Sequence, residues 1–271
     1  MSRTLQPGRF FGRIAKTCEV NGFILSESRY SPGTRISRHA HLHAYLCFLL
    51  RGSYRETCGS QERFCGPRTV LFHPAGEAHS DWFLDAGGTI FRFEICDRRL
   101  QDTSTTAAWM DRPFETNGGP LAWLITRLYS EFHRMDSFSP LVLEGLVLEI
   151  LGQIGRQQSY DAGRPAWMKR VAEFLNESSP EALTVSRIAE VGGVHPGHLS
   201  RIFRHIYGCS VGEFIRALRI EYAQRELRSS EGTLAEIAVA AGYSDQSHFC
   251  RSFKIATGAT PAEYRSLFHS R

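Results

Sequence analysis

Two arginines hold equivalent places in two copies of one short pattern, and their chemistry is the first lead to function. Ile188-Ala189, Gly193, His198, Arg201, Phe203, Gly208 and Glu213 recur as Ile237-Ala238, Gly242, His248, Arg251, Phe253, Gly258 and Glu263. The second copy has one extra residue after its first glycine, as expected of a turn. A guanidinium donates two parallel hydrogen bonds to a guanine edge or a phosphate. Arg201 and Arg251 are therefore candidate nucleic-acid contacts, with His198, Arg204 and His205 beside the first and His248 and Lys254 beside the second. A lone basic helix is usually just a solvated surface. Solvation does not require an arginine to recur after the same glycine turn, whereas two modules reading successive stretches of one duplex do.

The elements needed to position these residues are helix pairs. Val185, Ile188, Ala189 and Val191 fall at helical spacing behind a cap at Thr184, and Gly193 supplies a tight turn. A second helix buries Leu199, Ile202, Phe203 and Ile206 and turns its basic residues outward. The second copy repeats this with Leu234, Ile237 and Ala238 before Gly242, then Phe249, Phe253 and Ala256 inward. Asp245 is the one acidic residue there and reads as a cap. Between the copies, Val211 to Arg228 carries Phe214, Ile215, Leu218, Tyr222 and Leu227 at helical intervals, predicting one helix of roughly 27 Å. Successive major-groove faces recur about every 34 Å, so a strut of this order can present two reading helices to one face of DNA.

With these residues in view, Val185 to Arg265 resembles the DNA-binding domain of the AraC/XylS family of transcription regulators. Gly242-Tyr243-Ser244-Asp245-Gln246-Ser247-His248-Phe249, then Arg251, Phe253, Lys254, Gly258, Thr260-Pro261 and Tyr264-Arg265, follow the family signature closely. The first copy, Gly193-Val194-His195-Pro196-Gly197-His198-Leu199, is looser. The resemblance puts base-reading positions on Gly197, Ser200 and Arg201 and on Gln246, Ser247 and Arg251, and phosphate-facing positions near Arg204 and Lys254. The expected DNA-contacting set is His198, Ser200, Arg201, Arg204, Gln246, Ser247, His248, Arg251 and Lys254.

The front half has a different pattern. From Phe23 to Ile95, alternating runs such as Tyr45-Leu46-Cys47-Phe48-Leu49 and Thr89-Ile90-Phe91-Arg92-Phe93-Glu94-Ile95 are punctuated by Pro-Gly, Arg-Gly, Gly-Pro and Gly-Gly, predicting short strands joined by turns in a barrel or sandwich. Gly33, His39-Ala40-His41, Tyr45 and Gly52 follow the spacing of the first cupin motif, with Tyr45 where that family has Glu, and Pro74-Ala75-Gly76 with His79 resembles the second. The cupin resemblance implies that His39, His41 and His79 stand where a divalent metal is held. With the fourth ligand missing, a metal-free pocket is the favoured expectation and a metal site the alternative. Strand parity leaves His43 and His73 free to face the interior or solvent. Tyr45, Trp82 and Phe93 are expected to line the barrel with the histidines as an effector pocket.

Leu121, Leu124, Ile125, Leu128 and Phe132, then Leu141, Leu143, Leu146, Val147, Ile150, Leu151 and Ile154, form two apolar stripes of a helical hairpin. Ser139 is its expected cap and Pro140 its first helical residue. One stripe should cover the barrel and the other meet a second subunit. The predicted fold class is α+β multidomain. It has a cupin-like effector-binding β-barrel (1–100), a helical hairpin for dimerisation (101–156), a linker (157–165) and an all-α DNA-binding domain (166–271) with two helix-turn-helix motifs joined by a long helix.

Composition agrees without locating the site. The 271 residues carry a formal net charge of +4 and are 42% hydrophobic, enough for two cored domains. Residues 165–271 hold 13 basic and 11 acidic side chains, so DNA contact depends on where the arginines sit, not on how many there are. Seven cysteines show no zinc-finger or disulfide spacing. No apolar run reaches membrane length and the start lacks a secretion signal, so the expectation is a cytoplasmic protein without a membrane partner. The leading function is a dimeric DNA-binding regulator, activator or repressor, controlled by a small effector and meeting RNA polymerase if it activates. The alternative is a cupin-type metal-dependent enzyme with an attached DNA-binding tail.

Overall fold

Apolar alternation builds the first unit, but two glycine pairs change its geometry. The structure, a computed structural model, describes residues 3–96, 109–161, 165–229 and 232–269. It divides into two compact units, Met1–Asp161 and Ala162–Arg271. In the first, nine strands form one mixed sheet: β1 (Arg3–Leu5), β2 (Arg13–Val20), β3 (Phe23–Tyr30), β4 (Arg35–His41), β5 (Tyr45–Cys58), β6 (Gln61–Cys65), β7 (Thr69–His73), β8 (His79–Ile95) and β9 (Phe114–Asn117). The main path runs β1-β4-β8-β5-β7-β9, with β3 on β8, β2 on β3 and β6 on β5. Among the described residues this pairing does not close on itself, so the expected barrel is corrected to an open nine-stranded sheet.

The expected short strands are corrected too: β5 has 14 residues and β8 has 17, and they pair antiparallel along most of their length. Arg51-Gly52 and Gly87-Gly88, predicted as turns, lie inside these strands as bulges, with register shifts between Leu49 and Arg51 and between Gly52 and Tyr54. The backbones touch there: a Cβ on Gly52 would sit 1.9 Å from the Gly87 carbonyl oxygen. Both glycines hold a positive φ, 82° and 62°, which residues with side chains rarely adopt. Glycine marks a close approach here, so the chain continues through where a turn was expected.

Each bulge inverts which residues face which side. Before it, Tyr45, Cys47 and Leu49 share one core with Tyr54 after it, and in β8 Phe83 shares that core with Ile90. Odd positions become even positions. The opposite face presents Leu46, Phe48, Phe91, Phe93 and Ile95 to two helices, α1 (Gly119–Arg134) and α2 (Ser139–Asp161), which contribute Leu121, Leu124, Ile125, Leu128, Phe132, Leu143, Val147 and Ile150. Both expected stripes therefore pack inward, except Leu141, which is 73% exposed. Asp136, not Ser139, opens α2, accepting hydrogen bonds from the backbone N–H groups of Phe138 and Ser139 at 2.9 and 3.1 Å. Helix α2 runs to Asp161, so residues 157–161 of the predicted linker are helical, and 162–164 lie outside the described residues. Strand β9 falls in what was expected to be purely helical sequence and pairs with β7.

The second unit contains α3 (Ala166–Glu177), α4 (Val185–Gly192), α5 (Pro196–Tyr207), α6 (Val211–Ser229), α7 (Leu234–Ala240), α8 (Gln246–Thr257) and α9 (Pro261–His269), with one 3₁₀ turn at Pro180–Ala182. The predicted strut is α6. Its first half meets α5 through Phe214, which packs edge-on to Phe203, and its second half joins Ile237, Ala238, Phe249 and Phe253 through Ile220, Ala223 and Leu227. Among the described residues no helix is long and apolar enough to cross a membrane.

Candidate nucleic-acid interface and buried histidine pocket

Most of the repeated residues in the second unit have structural duties, which isolates the few that do not. Ile188, Ala189, Ile237 and Ala238 are buried in the first helix of each pair, and Phe203 and Phe253 in the second. Gly193, Gly208 and Gly258 close helices in the left-handed conformation. Glu213 and Glu263 turn back onto the backbone N–H of Ser210 and Thr260 at 2.7 Å each, while those hydroxyls accept from the glutamate N–H groups, making two matching capping boxes. Only His198 with His248 and Arg201 with Arg251 are left without a part in building the fold.

These residues ride on two well-started helices. His195 caps α5, its Nδ1 accepting from the Gly197 N–H at 3.1 Å, and Asp245 caps α8, accepting from the His248 N–H at 2.7 Å. The Asp245 cap has the predicted role, and that hydrogen bond holds its carboxyl below the usual carboxylate range. Thr184 caps α4 as expected. On α5, Ser200, Arg201 and Arg204 are exposed and His198 is half-buried. On α8, Gln246, Ser247, His248, Arg251 and Lys254 are all exposed, and so is Ala256, which was expected to face inward. The inward face of α8 is carried by the buried Phe249 and Phe253, with Cys250 partly buried beside them.

The two faces differ in freedom. Ser200 donates its hydroxyl to the Pro196 carbonyl at 2.9 Å, and Arg201 donates to His198 Nδ1 at 3.2 Å, with the His198 ring 5.7 Å from Trp167. Among the described residues the side chains of Gln246, Ser247, Arg251 and Lys254 make no such bonds, so all their donors remain available to a ligand. The exposed face of α5 is pre-organised and that of α8 is open.

Comparison with known proteins supports this geometry. A family model described as a helix-turn-helix domain matches residues 188–266, the span of both helix pairs. This part of the chain is a helix-turn-helix domain. It is 27% identical over 131 residues to YijO, an uncharacterized HTH-type transcriptional regulator of Escherichia coli strain K12, covering 48% of this chain and 46% of that protein. It is 29% identical over 101 residues to AdaA of Bacillus subtilis strain 168, a bifunctional transcriptional activator and DNA repair enzyme, covering 37% of this chain and 48% of AdaA. The chain thus spans less than half the length of these curated relatives. Among solved structures, fatty acid-bound ToxT of Vibrio cholerae matches over 94% of this chain and 99% of its own, at 14% identity and a TM-score of 0.39.

The first unit holds a second constellation. Phe10, Tyr30, His39, His41, Tyr45, Tyr54, Glu56, His79, Asp81 and Arg92 surround a cavity of about 10 Å³, room for little more than one water. The ring nitrogens of His39, His41 and His79 lie within 4.8 Å of one another. His39 and His79 direct Nδ1 to the carbonyls of Ser37 and Glu77, which leaves their Nε2 atoms as acceptors, and the Tyr45 hydroxyl lies 3.0 Å from His79 Nε2. Burial, His39 and Arg92 push His41 down to about 2, and burial with the neighbouring histidines lowers His79, so the trio is neutral. His73 is interior, stacked on Tyr45 at 4.6 Å. Burial opposes its protonation, but Glu56 and Glu77 raise it to about 10, and Glu77 Oε2 lies 2.8 Å from its Nδ1.

Two expected pocket residues are elsewhere. Trp82 is 40% exposed with Arg35 stacked 4.5 Å from its ring, because its neighbours Asp81 and Phe83 take the inward side of β8. Phe93 is fully buried, but against the helical hairpin, since the Gly87-Gly88 bulge puts Arg92 on the cavity side in its place. Counting by twos from His79 reaches residue 93 only if the strand is regular. Sequence reasoning missed Arg92, Asp81, Glu56, Tyr30 and Phe10. Parity with His79 was a usable signal for Asp81, and none existed for the residues beyond the bulges.

Proposed function

We propose that this chain is a sequence-specific DNA-binding transcription regulator whose first unit responds to a small effector. The observation that carries this reading is the pair of exposed, capped helices α5 and α8, with Arg201 and Arg251 at equivalent places and no structural duty for either. Double-stranded DNA is the partner, read by Ser200, Arg201, Gln246, Ser247 and Arg251 and gripped at phosphates by Arg204 and Lys254. Selection from a random duplex pool followed by footprinting tests it. A bipartite site with two contacted segments about 10 base pairs apart is expected; equal affinity for every duplex would overturn the reading.

The regulator acts as a homodimer through α2. Phe138, Leu141, Gly145, Leu148 and Gly152 are exposed at alternating spacings of three and four, the repeat that two copies of one helix use to interlock, and nothing lies within 4 Å of a Cβ built on either glycine. Leu141→Glu is expected to shift sedimentation from dimer to monomer at micromolar concentration, with secondary structure unchanged. An unaltered dimer would exclude this face.

His39, His41 and His79 are the residues that would hold a divalent ion, and three imidazoles are suitable donors for one. Two features oppose it: the usual carboxylate ligand is Tyr45, already bonded to His79, and Arg92 places a permanent positive charge on the same cavity. The cavity is accordingly read as metal-free, an effector site in place of the metal centre of an enzyme.

A further inference from the structure

Arg92 is 5% exposed, and a buried guanidinium is stable only if its donors are satisfied. Its Nη2 donates to the Tyr30 hydroxyl at 2.7 Å, but its Nη1 has no hydrogen-bond partner, and none of its donors reaches a carboxylate among the described residues. His41 Nδ1, on the same cavity, also lacks a partner. With Asp81 Oδ1, three unpartnered buried polar atoms thus face a space too small for anything but a water.

The space is small because the chain fills it with its own side chain. The segment between β1 and β2 brings Phe10 over the cavity, its ring stacked 4.7 Å from His41, edge-on to Tyr45 at 5.5 Å and under the Arg92 guanidinium at 4.7 Å. Phe11 lies edge-on to His39 at 4.9 Å. The segment is held by one inward bond, the Gly8 N–H donating to Glu94 Oε2 at 2.6 Å, and Phe10 remains only partly buried. The walls therefore already accept a benzyl group, and the cation beside it makes no direct ion pair among the described residues, Glu56 and Asp81 standing elsewhere on the cavity wall.

We propose that this cavity is a binding site for an arylalkyl carboxylate, whose carboxylate pairs with Arg92 Nη1 and whose ring takes the place of Phe10 between His41, Tyr45 and Arg92. The inference rests on reading the first unit as an effector sensor and names the class of effector. A carboxylate supplies the paired acceptors that a guanidinium matches best, and water supplies neither the geometry nor the charge. Phe10 competes with the ligand, so apparent affinity is reduced by the fraction of molecules in which it occupies the site. Binding requires residues 6–12 to move out, which gives the effector a differential contact between two states of this segment.

The test is calorimetry on the full chain, tag-free and chelator-treated, with phenylacetate and its uncharged isostere phenylacetamide as probes. Phenylacetate is expected to bind at least tenfold more tightly than the amide, Arg92→Gln to remove that preference, and Phe10→Ala to tighten phenylacetate severalfold. Phe10 is only partly buried and packs on the edge of the cavity-side core without belonging to its buried residues, so its variant remains informative if Arg92→Gln does not fold. Equal binding of acid and amide, weaker acid binding by Phe10→Ala, or acid binding that appears only on adding zinc would each overturn the proposal. Footprinting the same preparation separates the outcomes: an intact footprint with no preference for the acid removes the acid site and leaves the DNA reading in place.

Discussion

Arg251→Ala is expected to erase discrimination at a single base pair of the selected site, a loss of about 1 to 3 kcal/mol or roughly 5- to 150-fold, while leaving other positions nearly unchanged. Arg251 stands exposed on α8 and makes no bond within the described protein, so its removal leaves no buried group unpaired and the helix intact. Lys254→Ala, one turn further along the same helix, should behave differently. A lysine on phosphate acts on every sequence alike, so binding should weaken evenly and the slope of log affinity against log salt should fall by about 1. Titrations of both variants against singly substituted sites at several salt concentrations separate the two. Equal losses at every base for Arg251→Ala would show that it only grips the backbone.

Arg201→Ala should cost at least as much at its own base pair. Arg201 is tethered to His198, and His198 to Trp167, so the face of α5 gives up less side-chain freedom on binding than the free residues of α8. The same face lacks a side chain at Gly197.

Glu56→Gln is expected to destabilise the first unit by about 2 to 3 kcal/mol, whereas Glu62→Gln on the same hairpin should change stability by about 1 kcal/mol or less. Glu56 is 1% exposed, accepts from Arg63 through Nε at 3.0 Å and Nη2, and lies 3.6 Å from His73. Neutralising it removes the buried carboxylate that both cations share, leaving Arg63 only Glu115 at 3.5 Å and His73 only Glu77 at 2.8 Å. Glu62 pairs with Arg55 at 2.7 Å, but both side chains are about half exposed and water replaces either partner. Urea unfolding followed by tryptophan fluorescence measures both, since three of the four tryptophans, Trp82, Trp109 and Trp123, belong to the first unit. Equal midpoints for the two variants would show that the buried pair is not what holds the floor of the cavity.

The DNA-reading half was legible because its signals are local. Thr184 and Asp245 cap the helices they precede, Gly193 ends α4, and the extra residue after Gly242 lies in the turn before α8. Each feature depends on hydrogen bonds within a few residues, and helical periodicity tolerates errors of one position at the ends. Ala256 failed because a small residue near a helix end satisfies either face. The duplication supplied what one copy lacked: comparison of its halves separated residues that build the fold from residues that do not.

The pocket was only partly legible, and the reason is register. His39, His41, His79 and Tyr45 were found because motif spacing names them directly, even though β4 shifts register between Ile36 and His39. Arg92 and Glu56 lie beyond the Gly52 and Gly87-Gly88 bulges, where the alternation inverts, and Phe93 was assigned to the wrong face for the same reason. In the sequence those glycines look the same as turn glycines, and only the pairing of β5 with β8 distinguishes a bulge from a turn. By itself, the sequence determined a two-helix-turn-helix unit with its exposed arginines and a strand-rich unit carrying three histidines. Tertiary structure alone decided that a guanidinium and a benzyl ring complete the histidine site, because inversion of a strand's faces is set by contact between segments about thirty residues apart, and no local rule carries that information.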